Sequence, residues 1–152
     1  MALKNYTSSV SASKSINWIE GKLAKHGAKQ ILKEYTPDAR VAAIAFIIDI
    51  NGIELPFHIP ARIKACEQVL KNEIKRPRKE TYKRIEEQAE RTAWKIVADW
   101  IDAQMAMVDL SQVDIMEVFL PYLFDRANHR TLYQALQDEG FQKALPAYVS
   151  KS

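Results

Sequence analysis

The strongest constraint on the fold is an apolar stretch that ends at a two-residue turn. Val41–Ile50 carries apolar side chains at both alternating sets of positions, which is typical of a central strand covered on both faces. Asn51 and Gly52 follow, and both residue types tolerate the positive φ angles of a tight hairpin. The next strand alternates apolar and polar residues from Ile53, and its Pro56 lacks the N–H that a central strand needs. The sequence therefore predicts an antiparallel hairpin whose second strand lies at a sheet edge.

The remaining periodic segments predict one further strand and several helices. Apolar residues at regular spacing, with capping residues or glycines at the ends, define them. In chain order we expect a helix from about Lys14 to His26, a strand over Ala28–Tyr35, a helix after Pro60, a long helix from about Glu80 to Val108, a short helix ended by Pro121 and a last helix over Thr131–Glu139. The predicted class is α+β, with an N-terminal helix and a three-stranded antiparallel sheet covered by a C-terminal helical half.

Length, cysteine content and hydropathy predict one domain in a reducing compartment. The chain has 152 residues, a common size for a single domain. We expect one domain over 1–152, with an α-β-β-β-α portion at 1–74 and a helical portion at 80–152. The one cysteine, Cys66, cannot form an internal disulfide, and the longest apolar run, Val41–Ile48, is too short to span a membrane. We therefore expect a cytoplasmic protein without a membrane partner.

Charge is distributed unevenly along the chain, although the formal net charge is only +3. From Arg62 to Lys95 there are 11 Lys and Arg against six Glu, a balance of +5. From Ile96 to Asp125 there are six acidic residues and no Lys or Arg. A basic block followed by an acidic block favours an electrostatic binding face or head-to-tail association of two copies, so a homodimer is one expectation.

The basic block is densest around the break between two predicted helices. The cationic residues there, with Tyr82 among them, are Lys71, Lys75, Arg76, Arg78, Lys79, Lys83 and Arg84. Lys and Arg neutralise phosphates and release counterions, so this cluster predicts nucleic-acid binding. The alternative is a solvated turn in which neighbouring glutamates offset the charge. A second basic set is a candidate extension of the same surface and comprises Lys22, Lys25, Lys29 and Lys33.

The acidic block offers a different candidate surface, one for a protein partner. Trp94 and Trp100 lie six residues apart and therefore on different sides of the predicted long helix. We expect Trp100 in the core and Trp94 at an interface, with Tyr122 as a second exposed aromatic contact. Together with the acidic segment Asp99–Asp125, these aromatic residues would form the contact surface of a protein-binding inhibitor or adaptor.

The sequence contains no recognisable motif of a catalytic, metal or cofactor site. It has no glycine-rich phosphate loop and no nucleophile elbow. The three histidines lie in separate segments without a partner at metal-ligand spacing; they are His26, His58 and His129. Carboxylates paired at helical spacing leave a metal-dependent nuclease as an alternative; the pairs are Asp99 with Asp102 and Glu86 with Glu90. The sequence otherwise favours a non-enzymatic protein without a cofactor.

The order of the first five predicted elements, α-β-β-β-α, matches that of a double-stranded-RNA-binding domain. Such a domain grips phosphates across the grooves by shape. Those domains start their second helix with Lys-Lys-x-x-Lys, whereas this chain has Ala61-Arg62-Ile63-Lys64-Ala65. Because element order does not establish function, the match is an analogy only.

Three segments of the C-terminal half form recognisable patterns, namely Arg91–Met105, Glu117–Tyr122 and Arg130–Tyr133. Two more segments, Lys4–Thr7 and Lys25–Ala28, stand near the start of the chain. Together these segments resemble an uncharacterised family of small proteins carried by phages and other bacterial mobile elements. The resemblance implies an accessory protein in phage DNA metabolism or in countering host defences, and it implies no particular activity.

The leading hypothesis from the sequence is a non-enzymatic phage or mobile-element accessory protein that binds nucleic acid through the basic helix break. One alternative is an inhibitor or adaptor that binds a protein of a host defence system, or a protein that sequesters a small nucleotide signal. The other alternative is the metal-dependent nuclease. The leading hypothesis requires that the positive side chains near the break form one shared patch.

Overall fold

The computed structural model describes residues 3–74 and 78–150 and consists of a helical layer on one face of a sheet. Its elements in chain order are α1 (Ala12–Lys25), β1 (Ala28–Tyr35), β2 (Val41–Ile50), β3 (Ile53–Pro60), α2 (Ile63–Asn72), α3 (Lys79–Asp109), α4 (Ile115–Phe119), β4 (Phe124–Asp125), β5 (Arg130–Thr131), α5 (Leu132–Glu139) and α6 (Phe141–Ala144). Single 3₁₀ turns lie at Leu120–Tyr122 and Pro146–Tyr148. The predicted α+β class is confirmed. Among the described residues, no helix combines the length and hydropathy that crossing a membrane requires.

The main sheet is antiparallel, in the order β1-β2-β3, so that β2 is central and β3 lies at an edge as predicted. Asn51 and Gly52 connect β2 to β3 with φ angles of 54° and 82°, the left-handed conformation of a tight hairpin turn. The Asp49 carboxylate accepts the Gly52 N–H at 3.0 Å and holds the turn. The register that follows pairs Ile50 with Ile53.

Only one face of this sheet is covered by helices, so the prediction of a central strand buried on both faces is wrong. Alternate residues of β2 are at most 3% exposed and belong to the core; they are Ile44, Phe46 and Ile48. Ala45 and Ile47, which point to the other face, are half-buried. Leu32, the β1 neighbour of Ala45, is 65% exposed. The sheet therefore presents a second apolar face that no helix covers among the described residues.

Helix α1 packs on the sheet and on α3 through an apolar stripe. Its Ile16, Ile19 and Leu23 recur at helical spacing and are at most 3% exposed. The helix begins at Ala12, two residues earlier than expected, because Ser11 is the N-cap residue. The Ser11 hydroxyl accepts the Lys14 N–H at 3.2 Å, which satisfies one of the backbone donors that a helix start leaves free.

Helix α3 is the element on which the other elements assemble, since it packs against both α1 and α2. Its buried side changes along its length. Ile85 and Trp94 are both buried, although nine residues place them half a turn apart around the helix axis. The core consequently includes side chains from Ala12 to Phe119.

Trp94 is a core residue, so the prediction that it lies at an interface is wrong. The side chain is 0% exposed, and the indole Nε1–H donates to the Val41 carbonyl oxygen at 3.0 Å. This bond joins the middle of α3 to the start of β2. Trp100, predicted to be in the core, is half-buried at its margin, where its ring lies 5.9 Å from that of Phe119.

The C-terminal segment contains a short hairpin, between α4 and α5, that the sequence did not predict. A reciprocal capping box of Asp114 and Glu117 starts α4. Strands β4 and β5 then pair with each other and lie beside β3, because Leu123 forms an isolated bridge with Phe57. A second capping box, of Thr131 and Gln134, starts α5.

Candidate nucleic-acid interface

The predicted basic residues that the structure describes lie where the end of α2 meets the start of α3. Arg78 is the N-cap residue of α3, and Lys79 is the first residue of the helix. Lys83 and Arg84 follow one turn later. Lys75 and Arg76, also predicted site residues, lie outside the described residues. We call Arg78, Lys79, Lys83 and Arg84 the basic cluster.

The basic cluster is exposed and carries charge that no acid neutralises locally. All four side chains are exposed, and no carboxylate oxygen of the described residues lies within 4.0 Å of their nitrogen atoms. Lys71 differs from them. Its Nζ lies 5.3 Å from the ring centroid of Tyr82 and 4.0 Å from a carboxylate oxygen of Glu67. With Glu80 counted, the segment from Arg78 to Arg84 has four cations against one acid, a net charge of +3, whereas Lys71 already has Glu67 and Tyr82 as partners.

The cations follow two lines on α3 instead of forming one patch. Lys79 and Lys83 are four residues apart and share one side of the helix. Arg84 lies about 100° around the axis from Lys83, since each residue advances the helix by that angle. Arg91 comes seven residues after Arg84 and lies on the same side. The cations of α3 therefore lie along two adjacent lines on this helix.

The arginine line borders a cleft of about 510 Å³ between α2, α3 and the N-terminal arm. Arg84, Arg91 and Gln88 line it from α3, and Arg91 Nη2 donates to Gln88 Oε1 at 2.7 Å. Tyr6 lines it from the arm and is 45% exposed. Glu73 also reaches the wall. Guanidinium groups beside a tyrosine ring can hold a phosphate and stack a base.

Hydrogen bonds to α3 hold the N-terminal arm and so place Tyr6 at the cleft. The Asn5 carbonyl accepts from Thr92 Oγ1 at 2.9 Å, and Asn5 Nδ2 donates to Asp99 Oδ2 at 2.8 Å. Farther along, Gln88 Nε2 donates to the Ser8 carbonyl oxygen at 3.1 Å. Sequence reasoning missed Tyr6 because the arm has no periodic pattern and its partners lie eighty or more residues away in the chain.

The acidic block is engaged within the molecule instead of forming a free acidic face. Two of its acids pair with lysines, Asp99 with Lys95 and Lys4 and Asp102 with Lys22, and Asp109 lies 2.8 Å from Nε2 of His26, the C-cap residue of α1. The other three shape local structure: Asp114 and Glu117 cap α4, and Asp125 accepts hydrogen bonds in the β4–β5 loop. This pattern gives no support to a head-to-tail dimer or to an acidic protein-binding surface.

Asp99 is the most highly connected of these acids. Burial favours its neutral form, but hydrogen bonds from Lys95 and Asn5, with the charges of Lys95 and Lys4, outweigh that effect. The pKa of Asp99 is therefore lower than its ordinary value of 3.8. The carboxylate is held ionised as the anchor between the arm and α3.

The second basic set does not extend the basic cluster. Three of its four lysines have acidic partners: Lys22 with Asp102 at 3.9 Å, Lys29 with Glu54 at 2.7 Å and Lys33 with Glu20 at 3.1 Å. Lys25 remains exposed at the end of α1. Three of the four lysines of this set are thus matched to acids, in contrast to the cations at the start of α3.

The two aromatic residues predicted to contact a protein partner do not form an exposed surface. Trp94 is fully buried, as described above. Tyr122 is half-buried, and its ring lies 5.7 Å from that of Trp100 in a T-shaped arrangement.

Within residues 3–74 and 78–150, no three His, Cys, Asp or Glu side chains converge in a way that could hold a metal ion. The carboxylate pairs that suggested a nuclease are therefore not joined by a third such group there.

In comparisons with known proteins, no family model, no curated protein and no solved structure matches this chain.

Proposed function

We propose that this protein binds nucleic acid through the basic cluster and the adjoining cleft. The observation that carries the proposal is the four exposed cations, Arg78, Lys79, Lys83 and Arg84, without a carboxylate partner among the described residues. A concentrated positive charge at a protein surface attracts polyanions and gains free energy when they release counterions.

The contrast between the two halves of α3 supports this proposal. In the second half, Asp99 and Asp102 have lysine partners from the arm, from α1 and from α3 itself, and Asp109 contacts the His26 imidazole. In the first half, none of Lys79, Lys83 and Arg84 has a carboxylate oxygen within 4.0 Å among the described residues, although Glu80, Glu86 and Glu87 belong to the same half, so these cations are available to an external anion. The start of a helix also carries a partial positive charge, which adds to that of Arg78 and Lys79.

The cleft adds a second element to the proposed interface. Arg84 and Arg91 would hold successive phosphates, while the exposed ring of Tyr6 would stack on a base. Such contacts grip the backbone and are tolerant of sequence. Following the sequence resemblance, we place this activity in a phage or mobile-element accessory protein of the host-cell cytoplasm.

The test is a fluorescence anisotropy titration with labelled single-stranded DNA, duplex DNA and single-stranded RNA over a series of KCl concentrations. For duplex DNA, five phosphate contacts, from the basic cluster and Arg91, predict a log–log salt slope of about −4.5. The double variants K79Q/K83Q and R84Q/R91Q should each weaken binding and reduce the slope by about 1.8. The matched control is K14Q/K25Q, which removes two exposed α1 lysines and should leave the slope unchanged. A flat salt response, or an equal loss in the control, would refute the proposal.

A further inference from the structure

The uncovered face of the sheet forms a groove of about 630 Å³, within the usual size range of small-molecule sites. Its floor is apolar and consists of Leu32, Ala45, Ile47 and Pro56 from three adjacent strands. Leu32 is 65% exposed, which leaves a large aliphatic side chain facing solvent in the middle of a strand. A flat aliphatic floor of this kind suits the face of a planar ring.

The β4–β5 hairpin closes one side of the groove with aromatic rings. The His58 imidazole, on β3, stacks on Phe124 with ring centroids 4.7 Å apart and an interplanar angle of 20°. His129, from the loop, meets the edge of Phe124 at 5.2 Å. The hairpin is held in place because Leu132 N–H donates to the Leu123 carbonyl at 2.7 Å, and Leu123 bridges to Phe57.

The loop that carries His129 is built to a fixed shape. The Asp125 carboxylate accepts the N–H of Ala127 at 3.0 Å and the Asn128 amide at 2.7 Å. His129 itself has a φ angle of 52°, a conformation that costs a non-glycine residue on the order of 1 kcal/mol. The loop therefore presents Arg126 and His129 to the groove from a defined backbone.

The charge at the groove favours an anion. The cation of Arg126 lies at the wall, and no carboxylate oxygen of the described residues is within 4.0 Å of it. The one acid of the wall, Glu34, contacts the His58 imidazole through its carboxylate. At the opposite rim, the exposed Gln30 offers an amide donor and an amide acceptor, the pair that reads the edge of a heteroaromatic ring.

We propose that this groove is a binding site for a small heteroaromatic phosphate of the nucleoside monophosphate class. The ring lies on the Leu32–Ala45–Ile47 floor beside the His58–Phe124 stack, Gln30 contacts the ring edge, and Arg126 binds the phosphate. The site is distinct from the basic cluster because its residues belong to the sheet and the β4–β5 hairpin, not to α2 and α3.

The test measures the thermal denaturation midpoint of the full chain with AMP, GMP, CMP or UMP at millimolar concentration. A ligand present at ten times its dissociation constant should raise Tm by about 3–5 °C in a protein of this size. Adenosine, which lacks the phosphate, and inorganic phosphate, which lacks the ring, should each give a much smaller shift. If none of the four nucleotides raises Tm, the proposal is wrong.

Variants locate the site and separate it from the proposed nucleic-acid interface. L32E places a carboxylate on the floor, and R126Q removes the phosphate contact; each should abolish most of the shift. The matched control for L32E is L110E, since Leu110 is 69% exposed at the end of α3. The matched control for R126Q is R78Q, which removes an arginine of the basic cluster instead. If the rise in Tm is lost in R78Q but not in R126Q, the nucleotide binds at the basic cluster, and the proposal that it binds in the groove is refuted. Light scattering provides a further check. If the protein is a dimer that L32E dissociates, and no nucleotide raises Tm, then a second copy of the chain occupies this face instead of a nucleotide.

Discussion

Replacing Trp94 with Phe removes one donor from the centre of the molecule while leaving an aromatic ring in place. The indole Nε1–H donates to the Val41 carbonyl at 3.0 Å, and the side chain is 0% exposed. In W94F the half-buried Val41 carbonyl loses this partner. The variant therefore tests whether the bond between α3 and the start of β2 contributes to stability.

Two effects set the expected loss. A buried acceptor left without a hydrogen bond costs about 1–3 kcal/mol. The smaller ring leaves a cavity of about 35 Å³, which at about 24 cal/mol per Å³ adds about 0.8 kcal/mol. The free energy of unfolding should fall by about 2–4 kcal/mol, a large part of the roughly 5–15 kcal/mol that a domain of this size has.

The assay is a urea titration followed by far-UV circular dichroism, because tryptophan fluorescence would change with the substitution itself. W94F should unfold at a lower urea concentration with an unchanged m-value. The matched control is W18F, since Trp18 is 39% exposed and its ring contacts Lys22 without a hydrogen bond from the indole. W18F should lose less than about 1 kcal/mol. If W94F loses no more than W18F, Trp94 does not hold the position described here.

Two further predictions concern charge and backbone conformation. D99N should destabilise the protein at neutral pH by about 1 kcal/mol, because the folded state lowers the pKa of Asp99 from 3.8 and so favours its ionised form. That contribution is present above pH 3.8 and is lost as the pH falls through the lowered folded pKa, so denaturation curves of D99N and the wild type should converge in acid; an undiminished difference there would contradict it. A39G should raise the free energy of unfolding by up to about 1 kcal/mol, since Ala39 has a φ of 63° that glycine adopts without strain. A127G, at an exposed alanine without a positive φ, should instead lower it, and thermal denaturation of both variants compares the two.

Local sequence patterns were sufficient to predict the sheet and most helices. The bounds of the first two strands agree with the expectation, because Thr36 and Pro37 on one side and Asn51 and Gly52 on the other are unambiguous turn residues. The predicted ends of the long helix lie within one residue of the observed ends of α3. The β4–β5 hairpin was missed, since two-residue strands have no periodicity to detect.

Packing on α3 could not be predicted, because a single apolar stripe does not describe this helix. Arm, sheet, α1 and α2 contact it at different heights and from different sides, so Trp94 is buried although it lies off the line of Ile85. The same limitation applies to charge. Composition revealed a basic block and an acidic block, but only tertiary contacts show that Asp102 and Asp109 pair with α1, whereas Lys79 and Lys83 keep no acidic partner among the described residues.

The central position of α3 has a consequence for synthesis on the ribosome. The hairpin of β2 and β3 leaves the ribosome before α3 does, yet Phe46 and Ile44 need Trp94 and Ile101 of α3 to cover them. Until about residue 109 has left the exit tunnel, the part of the nascent sheet that α3 covers exposes apolar surface and is open to aggregation or chaperone capture. A fragment ending at residue 74 would remain in that incomplete state, so folding has to wait for the second half of the polypeptide.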